Sequence, residues 1–318
     1  MAKQPIAFMF SGQGSHYFQM GRELFATDGV FREWMQRLDA IARDQIGESV
    51  VQALYAPERR KTDPFDHTVL THPAIFMVEY ALARTLMHHG VQPDCVLGVS
   101  VGSFTAAAVG EFLDAEDAMR MVLEQAGAIE RHAAPGGMVA VMAPHSLHWQ
   151  EEELRATSEV AAVNFESHFT LAAPAWEMQR IEAALATRQV AFQRLAVSAP
   201  FHSRWIDAAR APFAASYSAR THQGRLPLFC CQRADVLWDL PKDYFWDVVR
   251  KPIQLRKTVA RLELGPPPRY IDVGPAGTLA TFLKYLLPPE TRSRVHSVLT
   301  LYGGGRDGIA RILVSTRN

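Results

Sequence analysis

Val96-Leu97-Gly98-Val99-Ser100-Val101-Gly102-Ser103 sets a G-x-S-x-G pattern between an apolar run and a stretch of small residues, Phe104-Thr105-Ala106-Ala107-Ala108. The order reads as strand, sharp turn and helix. A serine nucleophile must project from a tight turn, and the flanking glycines let strand and helix approach closely. The backbone N–H after the serine, at the helix start, can hold a developing oxyanion, and the helix dipole adds favourable potential there. The same spacing also serves plain small-residue packing, so the pattern makes Ser100 a candidate nucleophile without assigning it.

Working outward, Ile6 to Phe10 (IAFMF) reads as a buried strand that ends in the glycine loop Ser11-Gly12-Gln13-Gly14-Ser15. Thr71-His72-Pro73 opens a long apolar stretch to His89, with Pro73 expected in the first helical turn and Gly90 just past the end. A second helix is expected from about Asp114 to Arg131. After it the rhythm changes. Met138–Met142, Val160–Asn164, His168–Ala172 and Ala191–Val197 read as strands, with helices starting near Glu151 and spanning Trp176–Ala186. This is the β-α-β-β-α-β order of a ferredoxin-like unit. A loop at Ser198–Ser203, a helix to about Tyr217, a strand at Tyr270–Val273 and a helix at Thr278–Leu287 return the chain to the first unit. Pro266-Pro267-Pro268 reads as a stiff surface connection. The expected fold class is α/β. A large α/β-hydrolase-like domain with a parallel sheet (1–130 and 198–318) carries an inserted ferredoxin-like subdomain (131–197).

Composition excludes several function classes. The 318 residues are 48% hydrophobic and 21% charged, which is ordinary globular composition. The 33 basic and 33 acidic residues cancel, so there is no basic excess of the kind that marks a nucleic-acid binder. Cys95, Cys230 and Cys231 make neither a CxxC pair nor a disulfide framework. The start, MAKQPIAFMFSG, lacks a signal-peptide apolar region, and no run of about 18 apolar residues suggests a membrane span. A cytoplasmic monomer with no metal and no organic cofactor is expected.

A serine hydroxyl is a weak nucleophile at neutral pH and needs a base. The chain has 12 histidines, so counting cannot choose one. His202 stands apart only through its compact loop, Ser198-Ala199-Pro200-Phe201-His202-Ser203.

Several motifs taken together resemble the malonyl-CoA:acyl-carrier-protein transacylase family, which includes the acyltransferases of polyketide synthases. Phe10–Ser15 resembles F-x-G-Q-G-S. Thr71-His72-Pro73-Ala74 resembles T-Q-P-A, and Val96–Gly102 resembles V-x-G-H-S-L-G-E. Gly136-Gly137-Met138 resembles G-x-M, and Ala162-Val163-Asn164 resembles A-x-N. Pro200–Ser203 resembles A-F-H-S, and Asp272–Pro275 resembles E-x-G-P. The motifs occur in the family's order along nearly the whole chain. The resemblance implies that Ser100 attacks a thioester and that His202 is its base, oriented by a backbone carbonyl and not by an aspartate. It implies an oxyanion hole from the backbone N–H groups of Gln13 and Val101. Asn164 would line the pocket near the histidine, although it also reads as a turn residue. The implied partner is an acyl carrier protein. Its phosphopantetheine arm, or that of CoA, brings the acyl thioester into the cleft between the two units, and arginines such as Arg204 could meet the carrier's acidic face.

Three departures from the family pattern bear on substrate. The family's malonyl enzymes place an arginine in L-V-x-x-R-G, whose fork pairs with the free carboxylate of malonate. Here Met121–Ala126 puts Gln125 at that position, unless a shifted alignment gives the role to Arg120 or Arg131. Val99 replaces the histidine beside the nucleophile, and Ser103 replaces the glutamate after it. Gln125 and Val99 point to an uncharged acyl group, whereas Phe201 matches the malonyl form. Two functions compete: an acyl hydrolase that removes groups such as acetyl from carrier protein, and a trans-acting acyltransferase that moves malonyl or another acyl group onto it. A non-catalytic docking protein predicts an eroded Ser100 or His202. A generic α/β-hydrolase leaves the Gly12-Gln13-Gly14-Ser15 loop and the inserted unit unexplained.

Overall fold

Ile6–Phe10 (β1) is buried at every position, as a strand covered on both faces must be. In the computed structural model, which describes residues 4–216 and 219–317, β1 pairs in parallel with Cys95–Gly98 (β2). The chain then leaves this sheet and builds a second one. Gly136–Val141 (β3), Glu159–Phe165 (β4), His168–Pro174 (β5) and Phe192–Arg194 (β6) form an antiparallel sheet in the order β4-β5-β3-β6. Helices lie between β3 and β4 and between β5 and β6, as the ferredoxin-like pattern requires. The chain rejoins the first sheet through Leu228–Cys230 (β7), Asp235–Leu237 (β8), Arg269–Asp272 (β9) and Arg294–Ser297 (β10). Its order is β10-β9-β1-β2-β7-β8, parallel except for the edge strand β8.

The sequence expectations differ from these elements in a few places. The long helix begins at Thr68 and runs to His88, so Pro73 lies inside it and not in its first turn. Nearly every side chain of this helix is buried, and that packing outweighs the hydrogen bond the proline cannot donate. Gly90, at φ 86°, closes the helix as expected. The strand expected at Ala191–Val197 is only β6, because the chain turns at Leu195, where the Val197 N–H bonds back to its carbonyl. The helix expected to reach Tyr217 covers Arg210–Ser216, and Tyr217 lies outside the described residues.

The two sheets meet along the β4 edge. Ile253 donates its N–H to the Ala161 carbonyl at 2.8 Å, and Arg204 pairs with Glu159 at the start of β4. Phe165, at the end of β4, stacks on Tyr285 at 4.5 Å and meets Phe282 edge-on. These contacts set the width of the cleft that faces Ser100. None of the helices among the described residues is long and apolar enough to cross a membrane.

The turn after β2 is the tightest junction. A Cβ on Gly98 would collide with the Ser103 backbone, and one on Gly102 with the carbonyl oxygens of Phe10 and Ser11. Backbone cannot give way as a flexible side chain can. Gly102→Ala should therefore cost about 3 kcal/mol or more in urea unfolding. Gly29→Ala opens a helix with nothing within 4 Å of the new methyl, so its midpoint should stay within about 0.5 kcal/mol of the parent. Equal midpoints for the two variants would refute this reading of the junction.

Candidate active site

Ser100 follows β2 and precedes the helix Gly102–Val109. Its φ is 53°, a left-handed conformation that a non-glycine residue adopts only when its surroundings impose it. This turn aims the hydroxyl into the cleft while the residue stays 5% exposed. A Cβ on Gly12 would lie 2.7 Å from the Ser100 Cβ, so the Ser11–Ser15 loop runs directly against the serine.

His202 comes from the loop after β6 and also has a left-handed backbone, with φ 61°. Its N–H is anchored on the Val249 carbonyl at 2.9 Å. The ring spans two partners: Nε2 lies 2.9 Å from Ser100 Oγ, and Nδ1 lies 2.8 Å from the Lys251 carbonyl. A carbonyl only accepts, so Nδ1 carries the proton and Nε2 offers its lone pair to the Ser100 hydroxyl. The orienting group is thus a backbone oxygen, as the resemblance implies. Burial lowers the His202 pKa to about 4, outweighing the opposing bond to Lys251, and keeps the ring neutral at pH 7.

The backbone N–H groups of Gln13 and Val101 have no hydrogen-bond partner among the described residues. The loop that carries Gln13 is fastened from several sides. Gln13 Nε2 donates to Thr71 Oγ1 at 3.0 Å, and Ser15 Oγ donates to the Gly12 carbonyl at 2.7 Å. Glu79 accepts from the Ser11 N–H at 2.6 Å and from Thr105 Oγ1 at 3.1 Å. Glu79 is fully buried, and desolvation holds its carboxyl well above the ordinary range. The sequence reading passed over it, although a lone acid within Ala74-Ile75-Phe76-Met77-Val78-Glu79-Tyr80-Ala81-Leu82-Ala83 was a visible signal.

A cavity of about 200 Å³ opens beside Ser100. Val99, Phe201 and Asn164 line it together with Met138, Ala140 and Phe282. Asn164 Nδ2 is held by His168 Nδ1 at 2.9 Å, which fixes the amide on the wall. Among the described residues lining the cavity there is no lysine or arginine. Gln125 requires a correction: it is fully buried and lies one layer behind the wall. Its helix, Ala115–His132, turns its apolar face into the core, and position 125 falls on that face. Gln125 Oε1 meets His72 Nδ1 at 2.9 Å, and the His72 ring stands 5.1 Å from that of Phe201. Arg120 pairs with Asp117 at the surface and Arg131 is exposed, so neither takes the place of the expected arginine. Arg204 is engaged with Glu159 and with the Trp205 ring at 4.4 Å. A larger groove of about 630 Å³ lies across Ile253, and neither Ser100 nor His202 is among its lining residues.

The acyl transferase domain family matches residues 7–266 of the chain. The chain is 42% identical over 300 residues to the polyketide biosynthesis acyltransferase homolog BaeD of Bacillus velezensis, covering 93% of this chain and 92% of that protein. It is 40% identical over 298 residues to the polyketide biosynthesis acyltransferase homolog PksD of Bacillus subtilis, with coverage of 93% and 92%. Among solved structures, a loading acyltransferase from the avermectin modular polyketide synthase superposes with a TM-score of 0.87 at 25% identity, over 98% of this chain and 100% of that one. The chain thus belongs to the acyl transferase domain family and is a polyketide-associated acyltransferase-family protein.

Proposed function

We propose that this protein is an acyl hydrolase that clears uncharged acyl groups, such as acetyl, from the phosphopantetheine thiol of an acyl carrier protein. Ser100 Oγ attacks the thioester carbonyl as His202 Nε2 takes its proton, and the N–H groups of Gln13 and Val101 receive the oxyanion. The C–S bond then breaks and His202 returns the proton to the leaving thiol, leaving an acyl-serine. Water, deprotonated by His202, attacks this ester and releases the free acid and Ser100. The observation that carries the substrate choice is the neutral Gln125, at the position where the resemblance expects a guanidinium, behind a wall without a cation. A buried carboxylate left without its partner costs about 3–5 kcal/mol. The transferase reading uses the same residues with a second thiol in place of water, and Phe201 on the wall favours it because the malonyl form of the histidine motif carries phenylalanine.

The deciding experiment loads a carrier protein with acetyl, butyryl or malonyl groups and follows free acid and transferred product by mass spectrometry. Acetyl and butyryl should appear as free acid, malonyl about a hundredfold or more slowly, the rate equivalent of about 3 kcal/mol. Ser100→Ala should abolish release. Quantitative transfer to a second carrier without free acid would replace the hydrolase by the transferase, and malonyl release at the acetyl rate would remove Gln125 from the argument.

The state of His202 gives a second test. Neutral histidine is the base, and burial lowers its pKa, so the base form persists to lower pH than in an exposed ring. Single-turnover acylation of Ser100 should stay flat from pH 7 to about pH 5 and fall only toward pH 4. A midpoint near 6.5, the ordinary histidine value, would show that the ring is solvated when it works.

A further inference from the structure

Two departures from the family pattern touch each other. The pattern has glutamine where His72 stands and arginine where Gln125 stands, and these two side chains share one buried hydrogen bond. Both residues are fully buried, and each keeps one polar atom without a partner, His72 Nε2 and Gln125 Nε2. The chemistry of this pair does not depend on how its hydrogens are placed. If Nδ1–H donates to Gln125 Oε1, the ring offers a bare lone pair at Nε2 and the amide offers N–H. If the amide is turned and donates to Nδ1, the ring offers Nε2–H and the amide offers its oxygen. Either way the pair keeps at least one donor and at least one acceptor unpaired. A hydroxyl or a water satisfies both. A carboxylate accepts only, and behind Phe201 it would find no net positive charge and an unpaired acceptor in each arrangement, never the donor-only guanidinium of the family pattern. Burial also holds the His72 ring neutral, with its pKa lowered to about 3, so the pair does not acquire the missing positive charge.

We propose that His72 is a specificity-determining positioning residue, which holds Gln125 in a neutral donor–acceptor pair behind Phe201 and thereby rejects carboxylated acyl groups. Selectivity then belongs to positions 72 and 125 jointly. This rests on the acyl-thioester reading and adds to it a repulsive element beyond the mere lack of a cation. Its consequence is that arginine at 125 alone cannot convert the site. A guanidinium is donor-only, and neutral His72 can receive it only by moving its own proton to Nε2, which leaves that N–H buried and unpaired. Glutamine at 72 offers a carbonyl oxygen in its place.

The test measures second-order rate constants for acylation of Ser100 from acetyl and malonyl thioesters, kept separate, in the full-length chain. Gln125→Arg alone should raise the malonyl-to-acetyl ratio less than tenfold, and His72→Gln with Gln125→Arg more than a hundredfold over the parent. His72→Asn, whose amide can replace Nδ1, should keep the parent ratio. His72→Ala on the parent background should raise the ratio about tenfold, which reads the role of His72 even where the double variant does not fold. A Gln125→Arg variant as switched as the double, or an unmoved ratio in His72→Ala, overturns the proposal. If the parent Ser100 takes no acyl group from any thioester, the acyl-transfer reading itself fails and this inference falls with it. A retained acetyl rate with an unmoved ratio sinks this inference alone.

Discussion

The left-handed backbone at Ser100 is the constraint from which the site follows. β2 must turn at once into a helix whose start lies under the end of β1, and the space there admits hydrogen and no larger group at positions 98 and 102. A non-glycine residue at positive φ costs on the order of 1–3 kcal/mol, and it persists only where its neighbours dictate it. Here they do. β1, β2 and the Ser11–Ser15 loop hold the turn from one side, and the Gly102–Val109 helix holds it from the other. The hydroxyl, the Val101 N–H and the Gln13 loop are placed together by this one junction. His202 is set by a second left-handed residue on a separate loop, tied to the Val249 and Lys251 carbonyls.

The electrostatics of the site are those of neutral groups. A backbone oxygen orients His202 in place of a carboxylate, so no buried anion stands behind the ring to raise its pKa, and desolvation governs. Around the loop, Glu79 supports Ser11 with its carboxyl well above its ordinary range, whereas Asp272, which accepts from the Gly274 and Ala280 N–H groups, is pushed up only to about 6 by burial and remains mainly a carboxylate at pH 7. In the proposed reaction the charge that develops, an oxyanion opposite an imidazolium, meets no carboxylate hydrogen-bonded to the His202 ring. Two backbone donors and a helix start then act at low local dielectric, where they are most effective.

How much of this was legible in the sequence varied with the kind of signal. The serine turn was readable because its residues are contiguous and their sizes are dictated by close approach. The inserted antiparallel unit was readable because short apolar strands and helices alternate within one continuous segment. His202 was chosen through family resemblance, since twelve histidines and no local rule leave spacing silent. The strands β7, β8 and β10 escaped because they are three or four residues long; β8 and β10 are only partly buried, and at β7 the apolar residues Leu228-Phe229-Cys230 are too few to set a strand apart from a loop. Gln125 was placed by alignment to the family's arginine position, and an alignment gives a place in the chain without the depth at which a shorter side chain comes to rest. His72 and Glu79 were missed for a related reason. Each is a polar residue within an apolar helix, and its partner is 53 or 68 residues away in sequence.

The same neutrality bears on whether water or a second thiol receives the acyl group. Ser100 and His202 are 5% and 2% exposed, and most of the cavity wall is apolar, so bulk solvent does not flood the reactive atoms. Hydrolysis then needs a path for single waters, and transfer needs their exclusion while a second arm enters. In a site built around a guanidinium–carboxylate pair, the acyl group itself is fixed at both ends and helps to close the cavity. On the hydrolase proposal, a short neutral acyl group in front of the His72–Gln125 pair is gripped only at its carbonyl, and the rest of the volume is open to a small molecule. Loss of the charge partner and admission of water are, under that proposal, one change seen at two steps: the first relaxes binding of the acyl tail, and the second uses the space that is left.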